Sequence, residues 1–332
     1  MAYAHDQLLT NLLRDVSRSF YRTLRVLPPA IRPQISLAYL LARTTDTIAD
    51  TELIPLDRRL GALRTLRERI LGLSEAPLQF GELALQQSSR AERELLEQCE
   101  FSVGLLNTLS PADLRRVLEV LNTITRGQEL DLLRFAGASA EGILALRTAA
   151  ELDDYTYRVA GCVGEFWTRL CCAHVFTPNE ANETAMLTDG ARFGKGLQLI
   201  NVLRDLPADL RQGRCYLPAE ELTVAGLKPD DLLAASNEPK LRPVYNRWVE
   251  MADAHLAAGW KYTNAVPRRC FRVRLACAWP LLIGRKTLQL LRTQNVLDPR
   301  RRLKISRWAV RAIIGRSVLY YPWAGAWERL FG

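Results

Sequence analysis

The chain has 332 residues, 48% of them hydrophobic, which is enough to bury a full core. Its seven cysteines form no C-x-x-C pair and its three histidines lie far apart. These features argue against disulfide, zinc and histidine-triad chemistry and favour a reducing, cytosolic setting. The net charge of +9 is uneven, because residues 261–332 carry 16 Lys/Arg against Asp298 and Glu328, a charge of +14. Such a basic block suits nucleic acid, anionic lipid or an anionic substrate.

Apolar residues recur at helical spacing along the whole chain, and no segment alternates as a strand would. The spacing predicts helices over residues 6–24, 33–50, 57–73, 89–108, 111–135 and 150–175. It then predicts a pair of helices from Thr177-Pro178 to beyond Asp209, and helices at 229–236, 240–264, 270–293 and 303–320. Because no repeat or low-complexity linker divides the chain, we predict a single all-α domain over residues 1–332, packed around a central cavity. No apolar run reaches the ~18 residues of a membrane-spanning helix, and charges interrupt the N-terminus where a signal peptide would be apolar.

The helix predicted over residues 33–50 carries the first group of candidate functional side chains. Tyr39, Arg43, Asp46 and Asp50 follow one another at spacings that place them on one helix face. The two carboxylates repel each other, and no neighbouring lysine compensates them. We call Arg43, Asp46 and Asp50 the first acidic motif.

A second group recurs every fourth residue on an otherwise apolar stretch, with an arginine beside it. We call these residues the second acidic motif: Asn201, Arg204, Asp205 and Asp209. Pro207 falls inside this motif, where it removes a helical hydrogen bond and is predicted to kink the helix. Asp205 is therefore a firmer candidate ligand than Asp209.

A site for magnesium and diphosphate explains both motifs. Carboxylates four residues apart are common on solvated helix faces, but buried ones are unfavourable unless a cation pairs with them. Asp and Asn oxygens suit Mg²⁺ rather than zinc. If the two helices face each other across a cavity, the carboxylates can hold Mg²⁺ that bridges a diphosphate, and Arg43 and Arg204 can bind its other oxygens. Diphosphate held in this way is a competent leaving group, and an apolar cavity would shelter the carbocation left behind, which points to isoprenoid chemistry.

The C-terminal segment from Trp308 to Phe331 interleaves aromatic residues with arginines. This pattern suits a membrane interface, which a long isoprenoid product would enter. The alternative is a helix that closes the domain with its arginines in water. A helical module that binds lipid or nucleic acid through the basic block, without enzyme activity, is a further class of function; we expect no nucleic acid.

Five blocks between residue 17 and about residue 218 resemble the squalene/phytoene synthase family, which joins two prenyl diphosphates head to head. They are Ser17-Arg18-Ser19-Phe20, Tyr39-x-x-x-Arg43-x-x-Asp46-x-x-x-Asp50, Tyr155-Thr-Tyr-Arg-Val-Ala-Gly161-Cys-Val-Gly164, Gln198-x-x-Asn201-x-x-Arg204-Asp205-x-x-x-Asp209 and Gly213-Arg214-x-Tyr216-x-Pro218. The resemblance implies an all-α isoprenoid-synthase bundle. It implies Mg²⁺ ligands at Asp46, Asp50, Asn201, Asp205 and Asp209. It implies contacts with the diphosphate or the donor chain at Ser17, Ser19, Phe20, Tyr39, Arg43, Gln198, Asn201, Arg204 and Arg214.

The resemblance leaves two kinds of member open. Asp46-Thr47 and the basic, aromatic C-terminus look like squalene synthases, whereas the run Gln128-Glu129-Leu130-Asp131-Leu132 looks like the carotenoid-type members. Arg158 stands where animal and fungal squalene synthases have a tyrosine, so a proton-transfer or cation-stabilising role passes to Tyr155 or Tyr157. The four aspartates and these tyrosines are the expected catalytic residues.

Our first hypothesis is a squalene synthase. Two farnesyl diphosphates condense with Mg²⁺ through presqualene diphosphate, and NADPH reduces this intermediate to squalene, with its phosphates on the basic C-terminal block. The alternative is a phytoene or dehydrosqualene synthase, which needs no reductant. The expected location is the cytoplasm, with peripheral contact to the inner face of the membrane through residues 300–332.

Overall fold

A computed structural model describes residues 11–17, 20–178, 180–298, 300 and 303–332, and only the backbone of Phe20, Glu180 and Ala181. Helices account for 74% of the structure and strands for 2%, which confirms the all-α prediction. None of the described helices has the length and apolar character needed to cross a bilayer.

The described α-helices are, in chain order, α1 (Leu13–Ser17), α2 (Phe20–Val26), α3 (Arg32–Ala49), α4 (Leu56–Ile70), α5 (Gly81–Leu85), α6 (Arg90–Glu97), α7 (Cys99–Gly104), α8 (Pro111–Arg134), α9 (Ala149–Thr156), α10 (Cys162–His174), α11 (Glu180–Arg211), α12 (Ala219–Val224), α13 (Glu238–Ala265), α14 (Phe271–Thr293), α15 (Arg307–Tyr320) and α16 (Ala324–Glu328). Short 3-10 turns lie at Leu105–Thr108, Pro229–Leu233 and Ala235–Asn237, and a π-helical turn at Tyr157–Gly161 joins α9 to α10. Two-residue strands, β1 (Leu144–Ala145) and β2 (Arg214–Cys215), pair in parallel with Leu144 opposite Arg214.

The chain forms two compact units. The first contains the residues up to Leu133 together with Phe166–Pro178, and the second contains Arg134–Glu165 and Asn179–Gly332. The first acidic motif therefore belongs to the first unit, and the second acidic motif to the second unit. The organisation of residues 1–332 as one domain around a central cavity remains a prediction.

Helix α3 carries the first acidic motif, and its bounds agree closely with the predicted 33–50. Pro33 lies in its first turn, where the missing backbone N–H has no helical partner to lose. Leu40 and Leu41 are fully buried, so the apolar face anchors the helix in the first unit. Asp50 caps the C-terminus, where its N–H donates to the Asp46 carbonyl at 2.9 Å.

The second unit is built along α11, a single helix of 32 residues. One continuous helix replaces the predicted pair. The glycines of residues 190–196 lie inside this helix and, having no side chains, leave space for neighbouring helices to approach. A Cβ on Gly194 would lie 2.0 Å from the Ala160 carbonyl oxygen, and one on Gly164 would lie 1.8 Å from the Gly190 oxygen. The small residues predicted to permit a close approach therefore meet the backbone of another helix.

Helix α13 packs along α11 and buries His255 beside it. Arg192 Nε lies 3.4 Å from His255 Nδ1, which accepts from the guanidinium. The His255 pKa is lowered to about 4, mainly by burial and also by the charges of Lys195 and Arg192, whereas Asp153 opposes the shift. His255 is therefore neutral at physiological pH.

The C-terminal helices divide the aromatic residues of this segment into two groups. Trp327 and Phe331 are buried, and both stack on Trp260 with ring centroids 5.2 Å apart. Trp308 and Trp323, in contrast, are 76% and 59% exposed. The predicted role of closing the domain therefore fits Trp327 and Phe331, at the end of the chain. The exposed Trp308 and Trp323 are still available for the predicted membrane interface.

Candidate active site

Arg43 and Asp46 of the first acidic motif have partners that the spacing alone did not indicate. Arg43 donates to Glu92 at 2.6 Å, and another of its nitrogens lies 3.8 Å from Asp46. Gln128 donates to the second oxygen of Asp46. Asp46 is thus held between a guanidinium and an amide, one helical turn from the Asp50 carboxylate.

The Asp46 carboxyl has a strongly perturbed pKa, raised to about 7. Burial among protein atoms is the main cause and the neighbouring Asp50 carboxylate adds to it, whereas Arg43 and Gln128 lower the pKa. The side chain still keeps 40% of its surface exposed, so a ligand can reach it. The motif also lies at the C-terminal end of α3, where the helix dipole is negative. A bound cation would relieve both sources of unfavourable negative charge.

A polar pocket of about 310 Å³ opens beside this motif. Arg43 and Asp50 line it together with Glu52, Gln87 and Glu92. Carboxylate oxygens and a guanidinium therefore share one concave surface, which is the composition that a magnesium diphosphate requires.

The other predicted contacts of the first unit are only partly described. Tyr39 lies half-buried on α3. Ser17 is buried, and its hydroxyl donates to the Leu13 carbonyl of its own helix. Ser19 and the side chain of Phe20 lie outside the described residues, so their assignments stay predictions.

The second acidic motif is linked to a tyrosine by a chain of hydrogen bonds. Asn201 donates to the side-chain amide oxygen of Gln198 at 3.3 Å, and the Gln198 amide nitrogen donates to the Tyr155 hydroxyl at 3.2 Å. Arg204 binds both oxygens of Asp205, one of them at 2.9 Å. The motif therefore presents an amide network on one side and a bidentate ion pair on the other.

Asp205 and Asp209 lie in the last two turns of α11, which continues through Pro207 to Arg211. Asp209 consequently stays on the same helix as Asp205. As in α3, the carboxylates lie at the negative end of the helix dipole, which favours a cation.

The donor set fits Mg²⁺ in both motifs, since each offers hard carboxylate oxygens at a helix C-terminus. Neither motif alone supplies three carboxylates. Among the residues that the structure describes, no group of three or more His, Cys, Asp or Glu side chains could hold a metal ion. At Asp205 a metal would also have to displace Arg204. The metal assignments therefore remain proposals.

Comparison with known proteins identifies the family. The family model described as squalene/phytoene synthase matches residues 13–309. The chain belongs to the squalene/phytoene synthase family. The presqualene diphosphate synthase of Sinorhizobium fredii is 29% identical over 307 residues, which cover 91% of this chain and 93% of that protein. The squalene synthase ERG9 of Saccharomyces cerevisiae is 27% identical over 281 residues, covering 84% of this chain and 60% of that protein.

A solved structure supports the fold. The complex of TcSQS with the ligand BPH1237 superimposes with a TM-score of 0.79 at 22% identity, and the match covers 99% of this chain and 89% of that chain. The resemblance and the all-α fold class predicted from the five blocks are thus confirmed. The chain is an enzyme of the head-to-head prenyltransferase type, which uses prenyl diphosphate substrates.

The two candidate tyrosines of this synthase have different surroundings. Tyr155 packs against Tyr216 with ring centroids 4.7 Å apart and ring planes tilted by 30°, and its hydroxyl accepts from Gln198. Tyr157 begins the π-helical turn, and its hydroxyl donates to Glu165 at 3.3 Å. Tyr155 is therefore the tyrosine that the hydrogen-bond network joins to the second acidic motif.

Arg158 and Arg214, the other basic residues of the family blocks, are both half-buried. Arg158 pairs with Asp154 at 2.7 Å, which holds it against its own helix. Arg214 begins β2, directly after Gly213 at a φ of 79°. A Cβ on Gly213 would lie 2.4 Å from the backbone of Ser139, so only glycine fits there.

Several contacting residues were not predicted as site residues. Glu92 pairs with Arg43, Gln128 with Asp46, and Lys195 with Asp153. Each partner is distant in the sequence, and helical spacing relates only residues of one helix. Gln128 carried a signal only through the family resemblance.

Proposed function

We propose that the chain condenses two farnesyl diphosphates head to head and releases presqualene diphosphate. The observation that carries this proposal is the combination, in each acidic motif, of carboxylates with an arginine at the negative end of a helix. The relative from Sinorhizobium fredii supports the product, because it is named a presqualene diphosphate synthase and is matched over nearly its whole length.

The arginines bind and release diphosphate by exchanging partners. Arg43 pairs with Glu92, and Arg204 with Asp205. A diphosphate offers each guanidinium oxygens for bidentate hydrogen bonding. Substrate binding therefore frees carboxylates as it occupies the arginines. Mg²⁺ held by Asp46 and Asp50 in the first acidic motif, and by Asn201, Asp205 and Asp209 in the second, would neutralise diphosphate charge and make it a better leaving group.

The reaction forms a carbon–carbon bond as diphosphate departs. Cleavage of the donor C1–O bond leaves an allylic cation, which the 2,3 double bond of the acceptor attacks. Loss of one proton to the released diphosphate closes the cyclopropane ring, and the acceptor keeps its own diphosphate. Tyr155 stabilises the cation, because its ring is fixed against Tyr216 and can present a π face to positive charge.

The packing of the C-terminal block favours a product that needs no reductant. Arg274 lies 5.2 Å from the ring centroid of Trp327, and Arg285 lies 4.3 Å from that of Phe331. Arg268 donates to backbone carbonyls of the same segment. These three arginines belong to the basic C-terminal block that was expected to bind the phosphates of NADPH, and their contacts hold the C-terminus in place.

Squalene synthesis with NADPH is the second candidate, and the ERG9 relative favours it. Product analysis separates the candidates. The purified chain is incubated with farnesyl diphosphate and Mg²⁺, with and without NADPH, and the products are identified by mass spectrometry. We expect presqualene diphosphate under both conditions. Squalene that forms only with NADPH would support the second candidate, and a hydrocarbon formed without reductant would support a phytoene or dehydrosqualene synthase.

Variants connect the product to the acidic motifs. Asp46→Asn and Asp205→Asn remove one carboxylate from each motif and should abolish product formation. Asp57→Asn, on the exposed side of α4 in the first unit, is the matched control and should leave it unchanged. Product formation that survives both Asp46→Asn and Asp205→Asn would contradict the assigned site.

We also propose that α15 contacts anionic lipid. Trp308 and Leu319 are 76% and 60% exposed and share one helix face, since eleven residues make about three turns. Arg311 and Arg316 flank this face and supply positive charge. The combination of exposed apolar side chains with arginines fits the surface of a bilayer.

Flotation with anionic vesicles tests the contact. The variant with Trp308→Ala and Leu319→Ala should lose most vesicle binding and keep its stability. Binding that is undiminished in this variant would overturn the assignment to α15. Equally strong, salt-sensitive binding to duplex DNA would favour the nucleic-acid alternative.

A further inference from the structure

Pro207 leaves a carbonyl group without its helical donor in the middle of the second acidic motif. In an α-helix the N–H of residue 207 would donate to the carbonyl of Leu203, and proline has no N–H. Leu203 is 1% exposed, so water does not reach the residue freely. A buried carbonyl that lacks a partner is unfavourable, yet α11 continues through Pro207 to Arg211.

Tyr245 supplies the missing donor. Its hydroxyl donates to the Leu203 carbonyl oxygen at 2.9 Å, and the tyrosine is fully buried on α13. Burial raises the pKa of this phenol, so the hydroxyl stays protonated and remains a donor. The hydrogen bond therefore comes from a neighbouring helix and replaces the one that Pro207 cannot make.

The tyrosine is itself held in place. Arg242 lies over its ring, 5.4 Å from the centroid. The same guanidinium donates to the carbonyls of Leu291 at 2.8 Å and Gln294 at 2.6 Å, at the end of α14. The Leu203 carbonyl is thus tied through Tyr245 and Arg242 to a third helix, so its position does not depend on α11 alone.

We propose that Tyr245 is a positioning residue for the second acidic motif. The carbonyl it binds immediately precedes Arg204 and Asp205, and Pro207 separates Asp205 from Asp209. By replacing the hydrogen bond lost at Pro207, Tyr245 keeps both aspartates on one face of α11. This role rests on the proposed function, since it concerns carboxylates that bind magnesium diphosphate.

A double-mutant cycle between residues 207 and 245 tests the proposal. The variants are Tyr245→Phe, which removes only the hydroxyl, Pro207→Ala, which restores the helical N–H, and the double variant. Tyr262→Phe, another buried tyrosine of α13, is the matched control. Calorimetric binding of inorganic diphosphate in the presence of Mg²⁺ is the main readout, and urea unfolding reports separately on stability.

We expect Tyr245→Phe to weaken magnesium diphosphate binding by about tenfold, the equivalent of one lost buried hydrogen bond. The double variant should bind within about twofold of Pro207→Ala alone, because alanine restores the helical donor that the tyrosine replaced. Tyr262→Phe should show no coupling to Pro207→Ala. Rescue by Pro207→Ala is the result that a general loss of packing cannot produce.

Two results would overturn the proposal. One is a Tyr245→Phe variant that loses stability but binds magnesium diphosphate as the wild type does. The other is an equal binding defect in Tyr245→Phe with and without Pro207→Ala. Product formation by the wild type, measured in parallel, decides the proposed function independently. An active wild type without coupling refutes only the role of Tyr245.

Discussion

Gly164 on α10 lies against the backbone of Gly190 on α11, and a methyl group has no room there. In Gly164→Ala the new Cβ would lie 1.8 Å from the Gly190 carbonyl oxygen and 2.4 Å from its carbonyl carbon. Ordinary contact begins near 3.4 Å. The two helices must therefore separate by more than an ångström to accept one methyl group.

The cost of this separation follows from the atoms involved. Overpacking an interior costs about 1–3 kcal/mol, and the upper end applies because a helical carbonyl cannot rotate away. Alanine in place of glycine inside a helix recovers about 1 kcal/mol of propensity. We therefore expect Gly164→Ala to lower the free energy of unfolding by about 2 kcal/mol. Activity should fall as well, because Gln198 lies two turns further along α11 and a shift of about 1 Å can reduce a rate by about 10²-fold.

Urea unfolding followed by circular dichroism measures the effect. Gly315→Ala is the matched control, since it lies in a helix of the same unit and a Cβ there meets nothing within 4 Å. The control should gain about 0.5–1 kcal/mol. A Gly164→Ala variant as stable as wild type, or stabilised like the control, would refute the close packing of α10 on α11.

Three further outcomes are expected. The His255 pKa is lowered to about 4, below its unfolded value, so the protein should lose up to about 3 kcal/mol of stability as pH falls from about 6.5 through 4. His255→Gln should reduce this loss in urea titrations across that pH range. An unchanged pH dependence of stability would contradict the assignment of the loss to His255. Trp327→Ala should cost about 3–5 kcal/mol in the same assay, and exposed Trp323→Ala less than about 0.5 kcal/mol; equal losses would contradict the docked C-terminus. Tyr155→Leu should lower kcat by roughly 30-fold and Tyr155→Phe by less than about tenfold, because the proposed contact with the cation is made by the ring and not by the hydroxyl. Equal kcat for these two variants, or a larger effect of Tyr157→Phe, would shift the role away from the Tyr155 ring.

Helix α3 illustrates what the sequence predicts well. Apolar residues recur at helical spacing, Pro33 marks the first turn, and the observed bounds differ from the predicted ones by a single residue at each end. The position of a helix of this length follows from the spacing of its apolar residues, and a single sequence is enough to show that spacing. The shared face of Asp46 and Asp50 follows directly.

Local spacing fails where a helix breaks for one residue or continues past a proline. The predicted helix over 89–108 is divided at Gln98 into α6 and α7, and the one at 229–236 is a pair of 3-10 turns. The strands β1 and β2 are too short to show any alternation. At Pro207, in contrast, the helix continues. The hydrogen bond that the proline cannot donate to the Leu203 carbonyl comes from the Tyr245 hydroxyl on another helix.

Partners from distant segments could not be predicted at all. Gln128 reaches Asp46 across 82 positions of the sequence. The C-terminal aromatics show the same limit, since Trp323 and Trp327 are the same residue type four positions apart, and packing against Trp260, Tyr321 and Arg274 buries only the second one. Side-chain partners of this kind depend on tertiary packing, which one sequence without homologues does not reveal.

The ratio of diphosphate released to farnesyl diphosphate consumed tests the proposed product most directly. Presqualene diphosphate keeps one of the two diphosphates, so its formation releases one diphosphate for every two substrates. Squalene or a carotenoid-type product releases both. With Mg²⁺ and NADPH present, we predict one diphosphate released for every two farnesyl diphosphates consumed. Release of one diphosphate for each farnesyl diphosphate consumed would contradict the proposed product.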